Sequence, residues 1–331
     1  MNEKWVAITG CNGYLGGQAV IKFKELGYKV LGVDNSTGIA PWIQEYIDQY
    51  VPGDFSSTLF CTAVASKNAR AVIHLAGNAS IPRSFEDPVL YYNNHLGSTV
   101  KLMKNLANKG WNRLLIYASS AAVYGDHATK ILSEDNTCQP ISPYGRSVLM
   151  TEQALRDCAV TYNFKVFVLR LFNSVGADSK VRHGVVRTAD DVVSKIIKSV
   201  ISKGVFIVNG TDYATADGTC VRDYIHCEDA AQAVVNAAVV GEEAGEFFDT
   251  FNVGSGKGSS VEEVIQCVER ITGRSVLVHR DSRRSGDATV LVSSCSKFKH
   301  WSGWRSQQSQ LENIVRTSWA WHNSKLYQDY A

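Results

Sequence analysis

The sequence contains no apolar run approaching the ~20 residues that a membrane helix needs. Its longest candidate, Ala233–Val240, is interrupted by Asn236, so no helical membrane span is expected. An excess of either charge is also missing: 34 Lys and Arg face 32 Asp and Glu in 331 residues, a balance of +2. With no global field to gather DNA or an anionic membrane face, nucleic acid is not an expected partner. No apolar export segment stands between Met1 and Trp5-Val6-Ala7-Ile8-Thr9, which makes a cytoplasmic location the expectation. Eight cysteines are scattered without a C-x-x-C pair; free buried thiols are expected, not a disulfide framework. Eight histidines show no H-E-x-x-H or comparable ligand spacing, and no metal site is expected.

What is present is a core-forming composition, 45% apolar and 20% charged, long enough for one large domain or two linked ones. Short β-branched runs at Val6–Thr9, Lys29–Val33, Ala71–Leu75, Arg113–Ala118 and Lys165–Leu169 read as buried strands. Helix-length segments at Gly13–Leu26, Ser57–Asn68, Val89–Lys109 and Tyr144–Thr161 alternate with them. This β-α-β rhythm predicts an α/β fold, a Rossmann-type doubly wound parallel sheet whose ligands bind beyond the strand carboxyl ends. After Leu169 the rhythm becomes irregular, with helical patterns at Asp190–Lys203, Glu228–Val240, Val261–Thr272 and Leu311–Asn323. The expected division is a Rossmann domain of residues 1–173, to which 226–253 returns, and a smaller α/β substrate-binding lobe of 174–225 and 254–331.

Between the first strand and first helix stands Thr9-Gly10-Cys11-Asn12-Gly13-Tyr14-Leu15-Gly16-Gly17. Gly10 permits the tight turn, Gly13 lets backbone approach a pyrophosphate at the helix N-terminus, and Gly16 allows close helix–strand packing. Asp34, 18 residues beyond Gly16, follows the second strand and suits both hydroxyls of an adenine ribose. A 2′-phosphate would meet that negative charge with no basic residue in Asn35–Pro41 to offset it, so NAD is expected over NADP. Asp54, after Gly53, either reaches the adenine amino group or belongs to a surface turn.

The G-x-x-G-x-x-G spacing resembles the extended short-chain dehydrogenase/reductase superfamily. So do His74-Leu75-Ala76-Gly77, Ser119-Ser120-Ala121-Ala122-Val123-Tyr124-Gly125, Ser142-Pro143-Tyr144-Gly145 and Leu169-Arg170-Leu171-Phe172-Asn173, which fall in the family's order. The stretch Gly210–His226, together with Phe251-Asn252-Val253-Gly254 and Arg283-Arg284-Ser285-Gly286-Asp287, resembles the UDP-glucose 4-epimerase branch. The resemblance implies that C4 of a UDP-hexose is transiently oxidised by tightly bound NAD and re-reduced on its other face. It implies Tyr144 as base and Ser120 as the hydroxyl steadying O4. It implies cofactor contacts from Gly10, Gly13, Tyr14, Leu15, Gly16, Asp34, Asn35, Asp54, Phe55, Leu75, Ala76, Gly77 and Phe172. Asn93 and Asn94 both remain candidates for a further cofactor contact, since their spacings to Pro88 and Gly97 disagree by one. Substrate contacts are implied for Asn173, Arg222, Arg284 and Asp287, with Leu291 beside the sugar's C2 substituent. A homodimer through the Val89–Lys109 and Tyr144–Thr161 helices is implied as well.

One departure stands out. The family's Tyr-x-x-x-Lys places an ammonium beside the phenol and nicotinamide ribose, whereas the cofactor-facing position four after Tyr144 is Val148. A unit charge ~6 Å away at an effective dielectric of ~20 is worth roughly 3 kcal/mol, about two pKa units on a phenol near 10. The expectation is therefore a UDP-glucose/UDP-galactose 4-epimerase with impaired turnover. The rivals are a non-catalytic NAD and nucleotide-sugar binding protein and a nucleotide-sugar 4,6-dehydratase. The last wants an acidic pair after the strand-end hydroxyl, where Ala121-Ala122 stand.

Overall fold

The computed structural model describes residues 3–36, 38–127, 131–185 and 191–330. Seven strands form one wholly parallel sheet in the spatial order Phe248–Val253, Lys165–Leu171, Leu114–Ser120, Ala71–His74, Trp5–Thr9, Lys29–Asp34, Gln49–Pro52. Trp5–Thr9 and Ala71–His74 are buried at every position, as expected of strands covered on both faces. The chain leaves Trp5–Thr9 toward Gln49–Pro52, then crosses back to pair Ala71–His74 on the other side. That reversal opens a crevice at the carboxyl ends of the two strands, where α/β sheets bind ligands.

The helices on the two faces fill separate apolar layers. Tyr14–Glu25 and Cys227–Glu243 pack together on one face, with Val20, Phe23, Ala230 and Val234 fully buried. Thr58–Ser66, Ser98–Asn108 and Pro143–Tyr162 cover the other. Gly10, at φ +66°, makes the turn after the first strand, and a Cβ at Gly16 would come within 1.8 Å of the Gly10 carbonyl oxygen. Glycine at both positions lets the first helix start directly under the strand end.

Several elements differ from the sequence expectation. The Lys165–Leu171 strand runs two residues beyond the expected Lys165–Leu169. The Leu114–Ser120 strand runs two residues farther than expected, which makes Ser120 a strand residue. The expected Val89–Lys109 helix contains a π turn at Asn93–Gly97 between Pro88–Tyr92 and Ser98–Asn108. Of residues 254–331, expected in the smaller lobe, the Ser296–Ser302 helix packs on the sheet instead, with Phe298 against Phe251.

The smaller lobe has its own core. Helices Val192–Ser202, Val261–Thr272 and Leu311–His322 bury Ile196, Ile197, Val264, Val268 and Ile314 beside strand Val205–Asn209. Asp191 caps the first of these helices by accepting from Ser194 N at 2.8 Å; Asp190, expected as its first residue, lies outside the described residues. Strand Val221–His226 pairs Asn173–Val175 and Val290–Leu291, carrying Arg222 and Asn173 to the mouth of the sheet. All eight cysteines are free thiols. Among the described residues, no helix is long and apolar enough to cross a membrane.

Candidate active site

Two neighbouring cavities open at the carboxyl ends of the strands. The loop after Ala71–His74 contributes Leu75–Asn78 to the first and Ala79–Pro82 to the second. The first, about 950 Å³, is lined by Gly10, Gly13, Tyr14, Asp34, Asn35, Asp54, Phe55, Leu75, Ala76, Gly77 and Asn94. Asp34 ends the second strand and accepts from Asn12 N at 3.1 Å and Ser36 N at 2.9 Å, which fixes its carboxylate at the cavity wall. Asp54 is held likewise by Ser56 N at 2.7 Å. Tyr14 Oη donates to Gly176 O at 2.7 Å, pinning the glycine-turn helix to the smaller lobe.

Several expected cofactor contacts are placed elsewhere. Leu15 packs partly buried against the core, and Gly16 is buried beneath the turn; both serve the helix packing and do not line the cavity. Phe172 lines the second cavity, because the strand before it turns toward the smaller lobe at Asn173. Asn93 is exposed, whereas Asn94 lines the first cavity and its Oδ1 accepts from Asn78 N at 3.3 Å. The π turn, one residue longer than an α turn, accounts for the spacing that disagreed by one. Val148 is 3% exposed in the apolar core and lines neither cavity.

The second cavity, about 290 Å³, gathers Ser120, Tyr144, Asn173, Arg222, Arg284, Asp287 and Leu291. Pro143 starts the Pro143–Tyr162 helix and the Ser142 side chain caps it by accepting from Gly145 N at 3.0 Å, so Tyr144 leaves from its first turn. Burial raises the Tyr144 phenol above its usual range, a hydrogen bond with Ser120 opposes that, and Tyr91 adds to it. None of these three influences is a cation. Arg284 Nε donates to Asp287 Oδ2 at 3.0 Å, and Arg222 Nη1 to Val221 O at 2.9 Å. Both guanidinium-bearing side chains line this cavity and both act on Cys220, a suitable set for a diphosphate.

Sequence reasoning missed His183 and the Glu152–Arg170 pair. His183 lines the first cavity and lies beneath Tyr14, with Nε2 2.7 Å from Tyr14 O and Trp42 Nε1 donating to Nδ1 at 3.2 Å. No local pattern marks it, because Tyr14 stands 169 residues away. Glu152 accepts from Ser119 Oγ and from Arg170 Nη2 at 2.8 Å and Nε at 3.1 Å. Arg170 Nη1 also donates to Tyr124 Oη at 3.0 Å. Ser119 precedes Ser120 and Glu152 lies two turns beyond Tyr144, so this buried network fixes strand and helix relative to each other.

A dinucleotide fits the residues present. A Cβ at Gly13 would lie 3.2 Å from the Gly10 oxygen and crowd the turn where a pyrophosphate must approach. Asp34 lines the same cavity with a carboxylate that could accept from a ribose diol.

Residues 6–254 match the model of the NAD dependent epimerase/dehydratase family. The chain is 33% identical over 328 residues to a UDP-glucose 4-epimerase of Azospirillum brasilense, covering 96% of this chain and 92% of that one. The solved structure of UDP-glucose 4-epimerase from Bifidobacterium longum in complex with NAD+ and UDP is similar at a TM-score of 0.91 and 29% identity, over 98% of this chain and 99% of that one. The UDP-glucose-4-epimerase from Stenotrophomonas maltophila, with bound NAD and formylated UDP-arabinopyranose, matches at 0.89 and 30% identity, over 96% and 98%. Glycine turn, the Asp34 carboxylate and the Tyr–Ser pair stand in that order along a doubly wound sheet, and the chain belongs to the NAD dependent epimerase/dehydratase family.

Proposed function

We propose that this protein is a UDP-hexose 4-epimerase that interconverts UDP-glucose and UDP-galactose with NAD held in the first cavity. The observation that carries this reading is the Tyr144–Ser120 pair in a cavity that Arg222 and Arg284 also line. NAD, when bound, supplies a reversible hydride acceptor for C4 of the sugar. Gly10, Gly13 and Tyr14 would hold its pyrophosphate, Asp34 its adenine ribose, and Asn94 its far end. Tyr144 takes the proton from the C4 hydroxyl and later returns it, while the Ser120 hydroxyl donates to the same oxygen. Arg222 and Arg284 grip the diphosphate, Asn173 orients the sugar, and Asp287 accepts from the uridine ribose once ligand displaces its bond to Arg284.

Burial of Leu291 in this cavity favours sugars without an N-acetyl group at C2. The proposal includes a homodimer through the helices carrying Leu90 and Met150, exposed apolar side chains on neighbouring helices.

A second reading, a non-catalytic NAD and nucleotide-sugar binder, is favoured by one observation: Val148 puts methyl groups where a cation would lower the Tyr144 pKa. Incubation of the purified protein with UDP-galactose, with UDP-glucose formation followed by chromatography, separates the two. Product formed catalytically supports the epimerase; bound NAD with no product supports the binder.

A further inference from the structure

His95 is a buried histidine with no part in the chemistry described so far, yet it touches the catalytic tyrosine. Its ring centre is 5.5 Å from that of Tyr144, edge to face, and Tyr91 packs against both rings. His95 Nδ1 lies 2.8 Å from Ser147 Oγ, and the Ser147 hydroxyl donates to the Tyr144 carbonyl oxygen at 2.8 Å. On its other side the imidazole reaches the loop that floors the cofactor cavity: a Cβ placed on Gly77 would be 3.0 Å from His95 Nε2. The π turn makes this possible by presenting two consecutive residues to the same loop, Asn94 to Asn78 N and His95 beneath Gly77. π turns inserted in α-helices are frequent at functional sites.

We infer that His95 is a positioning residue that joins the first turn of the Tyr144 helix to the Gly77–Asn78 cofactor loop, setting the phenol in the second cavity where no lysine follows one turn later. This rests on the 4-epimerase reading. The imidazole does so without charge: burial lowers its pKa to about 4 against a backbone hydrogen bond at Asn78 that favours protonation, so it is neutral at pH 7. The titratable groups around the pair are Tyr91 beside both rings, Tyr117 beside Tyr144 and His74 beside His95. His74 is itself fixed by Thr9 and Thr99 at 2.7 and 2.8 Å. A neutral anchor can orient the phenol but cannot lower its pKa as an ammonium does.

The test compares His95→Phe, which keeps the ring contact and loses both nitrogens, with His95→Asn, which restores a polar side chain. Each is made with Val148 and again with Val148→Lys. The expected result for His95→Phe is a kcat for UDP-galactose at least tenfold lower, with KM and NAD content within twofold of the parent. His95→Asn should recover at least threefold of that loss, and with Lys at position 148 the His95→Phe effect should shrink to threefold or less. A kcat within threefold of the parent overturns the inference while leaving the 4-epimerase reading standing, and so does an equal loss in both backgrounds. If the parent does not turn over UDP-galactose, that reading falls, and the near-ultraviolet circular dichroism of the phenol, taken as a difference against Tyr144→Phe, decides the inference. His95→Phe should then reduce that difference signal at least twofold; an unchanged signal overturns it.

Discussion

Arg170 meets Glu152 through two hydrogen bonds, Nη2 to Oε2 at 2.8 Å and Nε to Oε1 at 3.1 Å, with both residues less than a tenth exposed. Burial opposes the arginine's charge, but the hydrogen bonds and charge of Glu152 outweigh it and push its pKa upward. Glu152→Ala leaves that guanidinium buried and unpaired, which costs ~3–5 kcal/mol. Urea unfolding should register the loss, together with reduced epimerase turnover because Ser119 and the Tyr144 helix lose their common anchor. A change below ~1 kcal/mol would return the pair to a dispensable role.

Asp34 offers its carboxylate at the cavity wall, so the extracted nucleotide should be NAD with little NADP. Chromatography of the nucleotide released from denatured protein makes the check. NADP as the main species would show that the site accommodates a 2′-phosphate despite Asp34.

Val148→Lys places an ammonium one turn after Tyr144. The phenol, now raised by burial, should ionise at lower pH, and the rising limb of the pH–rate profile should move to lower pH with it. We expect at least a tenfold gain in 4-epimerase turnover, less than the roughly hundredfold that ~3 kcal/mol would allow. Since position 148 is in the apolar core, the substitution should also cost ~1–3 kcal/mol of stability. Unchanged turnover and pH dependence, with NAD retained, would show that the missing cation does not limit this protein.

Arg284→Ala should weaken UDP binding by ~1.5–3 kcal/mol, the range for a lost hydrogen bond to a charged group. Titration calorimetry measures it, and an unchanged affinity would mean that the Arg284–Asp287 pair belongs to a solvated loop.

Acid should destabilise the fold before it titrates most carboxylates. Burial lowers His74 to about 3 and His95, His183 and His226 to about 4. Each folded pKa lies below the unfolded value of ~6.5, so the unfolded chain binds more protons. Their stabilisation is fully present above pH ~6.5 and is lost as pH falls from there toward 4, at about 1 kcal/mol per histidine by pH 5.5. Urea midpoints at pH 7.5 and 5.5 should therefore differ markedly; equal midpoints would contradict the buried neutral state.

The local chemistry of the chain was sufficient for the strand–glycine–helix turn at Gly10–Gly16, the acid at Asp34 and the parallel β-α-β frame. Each is a matter of backbone freedom or hydrophobic period within a few residues, and such information is carried by adjacent positions. Tyr144 and Ser120 could be named only through the family resemblance, since a tyrosine at a proline-started helix and a serine near a strand end are ordinary locally, and their meeting across 24 positions needed the fold. Only tertiary structure decided the rest. A π turn sends Asn94 and not Asn93 to the cavity, and one change of chain direction moves Phe172 from the cofactor side to the substrate side. His183 beneath Tyr14, Arg170 against Glu152 and His95 between Ser147 and Gly77 join residues 18 to 169 positions apart. Buried polar groups must find partners wherever packing brings them, and no periodicity in the sequence records which distant partner that will be.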